Sequence, residues 1–139
     1  MGLTASIASA LDARLTSATV GIGVPVIKGW PDFDSPDFVR PSASILWKAD
    51  EQLGAPRLGG GTKWQTEFAC ELYCQDEPRL RTYIDATRAC FTGWHFDTIE
   101  VLSMDKITAG RIERIPQGET TPTALRYAAQ WTVTFEYTR

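Results

Sequence analysis

"KWQTEFACELYC", residues 63–74, sets two cysteines four positions apart among tryptophan, phenylalanine and tyrosine. These cysteines are either a metal or redox pair or part of one face of a buried strand, and the period of the stretch chooses between the two. Trp64, Thr66, Phe68, Cys70, Leu72 and Cys74 fall on one face, while Gln65, Glu67, Glu71 and Gln75 fall on the other. Alternation of this length describes a long strand with one packed side and one wet side. Residues four apart on a strand are separated by about 13 Å, and a disulfide needs Cα atoms within about 7 Å. Zinc ligands must converge on one ion at about 2.0–2.3 Å, which two positions on a straight strand do not supply. Cys90 could approach one of them from a covering helix, but His95 is the only histidine, so a mixed cluster stays one ligand short. Buried free cysteine behaves as a small hydrophobe. Cys70 and Cys74 are therefore expected as core thiols, whose replacement alters stability without loss of a metal.

C-terminal to this strand, Asp76 reads as the cap of a helix with Glu77 and Pro78 in its first turn. Leu80, Tyr83, Ile84, Thr87, Cys90 and Phe91 recur on one helical face, and Gly93 stands where a C-terminal glycine belongs. "DTIEVLSM" (97–104) and "ITAGRIERI" (107–115) read as two shorter strands joined around Asp105, and "PQGETTPT" (116–123) as a loop. The closing strand alternates Leu125, Tyr127, Ala129, Trp131, Val133, Phe135 and Tyr137 against Arg126, Gln130, Thr132, Thr134 and Glu136.

Toward the N-terminus, "DEQLGAPRLGGGT" (50–62) holds three consecutive glycines and reads as a connector that becomes ordered only in an assembly. Residues 39–48 read as a strand, preceded by a loop in "WPDFDSPDFVRP" and a short extended segment, "VPVIKGW". Leu3, Ile7, Ala10, Leu11 and Leu15 give residues 3–15 the stripe of an amphipathic helix. The order helix, strands, helix, strands predicts an α+β fold. One domain, 1–139, is expected, with a mainly antiparallel sheet and the N-terminal and central helices packed on one face.

At 139 residues the chain suits one domain. A net charge of −3 gives no support for a nucleic-acid-binding surface, and no apolar run approaches the roughly 20 residues that span a bilayer. "MGLTASIASALDARL" has no basic n-region and is not expected to act as a signal peptide. Gly2 and Ser6 fit the loose myristoylation pattern, and a helix start explains the same residues. Three cysteines without close spacing point to a reducing compartment, a cytosol.

No stretch assembles a catalytic set, and neither an enzyme nor a cofactor is expected. "GAPRLGGGTK" differs from a phosphate loop because Gly61 precedes Thr62 and Lys63, and a strand follows where a helix is needed. Asp32, Asp34 and Asp37 lack the glycine and distal glutamate of a helix–loop–helix calcium site and read as turn formers. His95 and Asp97 have no nucleophile on a glycine elbow. Arg111, Arg114 and Arg126 read as a solvated face or a small basic patch. Trp30, Phe33, Asp34 and Phe38 in the proline-rich loop, with Arg57, Leu58 and Lys63 around the glycine loop, are the candidates for a subunit or partner interface.

The layout "ALDARL" then "VPVIKGWPDFDSPD", "RPSASILW", the strand–helix run "WQTEFACELYCQDEPRLRTYIDATRACF" and the ending "ERIPQGETTPTALRYAAQWTVTFEYTR" resembles the tail-terminator family of tailed phages. Its lambda-type members are also called minor tail protein U, and related neck proteins look similar. The resemblance covers nearly the whole chain in element order and size, without a signature residue. It implies a homohexameric ring in the virion, assembled in the host cytoplasm, that caps the tail tube protein, ends polymerisation and joins the head-completion or connector protein. DNA would pass through the lumen without specific binding, and no membrane partner is implied. A small soluble α+β enzyme or ligand-binding domain is the other class to be kept.

Overall fold

The alternation at residues 63–74 becomes the central strand of a six-stranded sheet. The computed structural model describes residues 2–56 and 58–139. In chain order the elements are α1 (Leu3–Thr16), β1 (Val26–Lys28), β2 (Ser42–Gln52), β3 (Lys63–Tyr73), α2 (Glu77–Phe91), β4 (Ser103–Ala109), β5 (Glu113–Arg114), a 3-10 turn (Thr123–Leu125) and β6 (Ala128–Thr138). The sheet runs β1-β2-β3-β6-β4, with β5 also paired to β6. Only β1 against β2 is parallel; the other pairs are antiparallel. The α+β class with a mainly antiparallel sheet is the fold observed.

Register explains why one face is dry. Cys70 lies opposite Ile45 on β2 and Trp131 on β6, and Leu72 opposite Ala43 and Ala129. These residues share the core with Leu3, Ile7, Leu11 and Leu15 of α1 and with Leu80, Cys90 and Phe91 of α2. The α1 set repeats every four residues, so each side chain stacks one turn above the last. Asp76 caps α2 by accepting the Arg79 N–H at 2.9 Å. After α1 the chain folds back tightly: Ile22 and Gly23 N–H both donate to the Leu15 carbonyl. A Cβ at Gly21 would stand 1.8 Å from the Arg14 carbonyl oxygen, so only glycine permits that return.

Several boundaries differ from the expectation. β2 begins at Ser42 and continues to Gln52, into the stretch read as connector. Residues 97–102 are irregular with a turn at 99–100, and β4 starts at Ser103 and runs through Asp105, where a break was expected. The segment 107–115 is divided between the end of β4 and the two-residue β5. β6 starts at Ala128, three residues later than its alternation suggested, because Thr123–Leu125 forms a 3-10 turn.

Among the described residues, no α-helix packs on the opposite face. At one end of it Tyr73, Ile115 and Ala128 make a small second core with Phe33, Phe38 and Leu125. The rest presents mainly polar side chains of β3 and β6, with Leu46 facing Ala69 among them.

Candidate functional site

The aromatic loop and the glycine loop lie at opposite ends of β3, whose eleven residues span about 33 Å at 3.3 Å per residue. Phe33 and Phe38 fold back onto the sheet. They are half-buried, touch each other edge to face at 5.1 Å, and pack on Tyr73 at 5.4 and 5.6 Å. The sequence showed aromatics in a loop but not their target, because Tyr73 falls on the strand face that its neighbours Glu71 and Gln75 mark as wet. Asp34 is exposed, and its N–H donates to Asp32 Oδ1 at 3.1 Å, which makes Asp32 a turn former. Trp30 keeps 80% of its surface exposed.

At the other end, Leu58 is fully exposed, and Lys63 stands 4.0 Å from Asp105. Arg57 lies outside the described residues. The base of the glycine loop is tied to the chain's last residue. Thr62 and Arg139 exchange backbone hydrogen bonds of 2.8 Å each. Gly61 has φ +74°, and a Cβ there would meet both the Arg139 carbonyl and Leu102 Cδ1 at 2.9 Å.

A concave polar region lies on the sheet face away from the helices, one that the sequence alone does not assemble. On the helix-free face Ala69 and Glu71 of β3 and Gln130 and Thr132 of β6 floor a cavity of about 350 Å³. Lys48 and the Gly110–Arg111–Glu113 connection wall it. Glu71 sits opposite Gln130 and Ala69 opposite Thr132, so the strand register creates the site. Glu71 Oε2 accepts from the Tyr73 hydroxyl at 2.6 Å, and that hydroxyl also lies 2.9 Å from Ser44 Oγ. Burial and the Glu71 carboxylate push the Tyr73 phenol well above its ordinary range. Lys48 pairs with Glu67 at 3.7 Å and Arg111 with Glu113 at 3.2 Å. Both long strands were legible as having wet faces, but their side-by-side placement depends on pairings 59 residues apart, as for Glu71 and Gln130.

Arg111, Arg114 and Arg126 are all exposed, as a solvated face requires: Arg111 pairs with Glu113, Arg114 with Glu77, and Arg126 lies over the Tyr127 ring. Cys70, Cys74 and Cys90 are buried free thiols. Burial pushes Cys70 well up and Cys74 up to about 11, so thiolate chemistry is suppressed at neutral pH. Among the described residues, no group of three or more His, Cys, Asp or Glu side chains is placed to hold a metal ion. None of their helices is long and apolar enough to cross a membrane. No family model and no curated protein matches this chain.

Proposed function

We propose that this chain is a structural virion protein of the tail-terminator kind, acting as a homohexameric ring. In this reading it caps a phage tail tube, ends tube polymerisation and presents the surface that joins the head-completion or connector protein. DNA crosses the lumen without specific contacts. The observation that carries the reading is a pair of unlike open sides on one sheet. On one side β1 covers only Ala43–Ile45 of β2, leaving the edge from Leu46 to Gln52 without a strand among the described residues. Trp47 is exposed on that edge, and exposed Trp30 follows two residues after Lys28, the partner of Ile45. On the other side β4 is the outer strand, preceded by exposed Ile99 and Leu102. A head-to-tail ring needs two different patches on every subunit, and an open strand edge is a template for another chain.

Electron microscopy of particles made without this protein is expected to show over-long or unattached tails. Normal tails joined to heads would reject the reading. The polar cavity favours the second class, a ligand-binding domain, and a mass measurement in the presence of tail tubes separates the two. The ring reading expects about six chains per tube end, the other a free monomer.

A further inference from the structure

The helix-free face gathers half-buried polar groups that the fold leaves unused. Among the described residues, Glu71 Oε1, the Gln130 amide and the Thr132 hydroxyl have no hydrogen-bond or ion-pair partner, yet all three belong to residues that line one cavity. The cations of the wall are each already matched, Lys48 by Glu67 and Arg111 by Glu113. The charge left over is that of Glu71.

We propose that this cavity binds the guanidinium group of an arginine side chain presented by another protein chain. A cation is selected because, with Lys48 matched by Glu67 and Arg111 by Glu113, the charge left uncompensated in the lining is the Glu71 carboxylate. A planar fork is selected over a point charge because acceptors stand side by side. Glu71 and Gln130 are cross-strand partners, whose side chains start about 5 Å apart, close to the spacing that a guanidinium bridges. An apolar group would strand these polar atoms away from water. Ala69 supplies depth between the longer Glu67 and Glu71, and about 350 Å³ holds a side chain with its stem. Glu71 is held in advance, since its Oε2 is bonded to Tyr73, which Ser44, Phe33 and Phe38 hold in turn. Such preorganisation lowers the entropy lost on binding. A protein source is favoured because the cavity opens onto an uncovered sheet that a projecting side chain reaches. The inference does not depend on the tail reading and stands if the chain proves monomeric.

The test is an NMR titration of the full chain with N-acetyl-arginine methylamide. Saturable shifts are expected at the Gln130 side-chain amide, Glu71 and Tyr73. Glu71→Gln keeps an acceptor for Tyr73 but removes the charge, and should weaken binding about tenfold. Gln130→Ala serves if that variant does not fold, and should weaken binding about threefold. N-acetyl-lysine methylamide should bind more weakly than the arginine probe. Absence of saturable local shifts, unchanged affinity in the variants that fold, or equal binding of the lysine probe would overturn the proposal. Free arginine binding tenfold more tightly than the blocked form would assign the site to a small molecule and overturn the protein source.

Discussion

The two faces of the sheet are made by the same strands, yet they solve opposite problems. On the covered face Ile45, Cys70, Leu72, Val133 and Phe135 meet two helices, and nearly every side chain there is buried. On the open face Glu67, Glu71, Gln130, Thr132 and Thr134 are half-buried without a covering layer. The first face stabilises by removing apolar surface from water, while the second holds polar groups by hydrogen bonds and ion pairs of much smaller net worth. Apolar burial and the proposed arginine site are thus divided between faces, one residue apart along each strand. Core packing can then persist while the open face varies.

Neighbouring substitutions on β6 break that comparison most directly. Phe135 is fully buried and touches Phe68, Trp94 and Phe96 at ring distances of 5.9–6.1 Å. Phe135→Ala should cost about 3–5 kcal/mol in chemical denaturation, from lost transfer and a residual cavity. Thr134→Ala, on the open face, should change stability by no more than about 0.5 kcal/mol. Similar costs at the two positions would mean that the open face is covered in solution, for instance by a second copy.

Tyr73→Phe sharpens the comparison where it is least clean. Tyr73 is fully buried although it belongs to the open face, because the loop carrying Phe33 and Phe38 folds over it. Phenylalanine keeps the ring contacts and deletes the hydroxyl, leaving buried Ser44 without that partner and Glu71 without its donor. The expected loss is about 1–3 kcal/mol, the range for a buried polar group left unpaired. A value near zero would show that water replaces the hydroxyl and that Glu71 is not held by the fold.

How much of this was legible follows from where the alternation stays in phase. On β3 no register shift occurs and only Ala69 and Tyr73 depart from the polar face, so that strand, its core face and the Asp76 cap are found as expected. Strands β2 and β4 are less transparent because a register shift in each inverts its phase. Between Trp47 and Ala49 the pairing of β2 slips, so Trp47 and Asp50 share a face and both engage through the Trp47 Nε1–Asp50 bond of 3.1 Å. A second slip between Met104 and Lys106 puts Met104 opposite Tyr137 and Ile107 opposite Phe135, both on the covered face. Read with an unbroken period, these strands seem to end early or to split, as residues 39–48 and 97–104 did. The cavity was hidden for a different reason. Its floor needs β3 beside β6, a pairing no local pattern encodes, and its wall needs the Gly110–Glu113 connection.

The smallest expected effect concerns a tie between the elements flanking the two faces. Arg114 of β5, next to Ile115 of the small core, donates to Glu77 Oε1 in the first turn of α2 at 2.5 Å, and Arg81 lies 3.5 Å from the same oxygen. The hydrogen bond from Arg114 chiefly holds the Glu77 carboxyl below its ordinary range. A lowered carboxylate pKa means that the folded chain releases this proton more readily than the unfolded one. The resulting stabilisation is complete above the ordinary carboxylate pKa and fades as pH falls through the lowered value. Both side chains meet solvent, so the gain is screened and belongs with surface ion pairs. Comparing Glu77→Gln with the native chain should therefore give a small loss of thermal stability at neutral pH and low salt. The difference should close in about 1 M salt, where screening acts within about 3 Å, and close again in acid. A difference that survives high salt would come instead from the favourable placement of a carboxylate at the start of α2 or from its packing. In that case the link from β5 to α2 would contribute nothing measurable, and the two faces would be energetically independent at this rim.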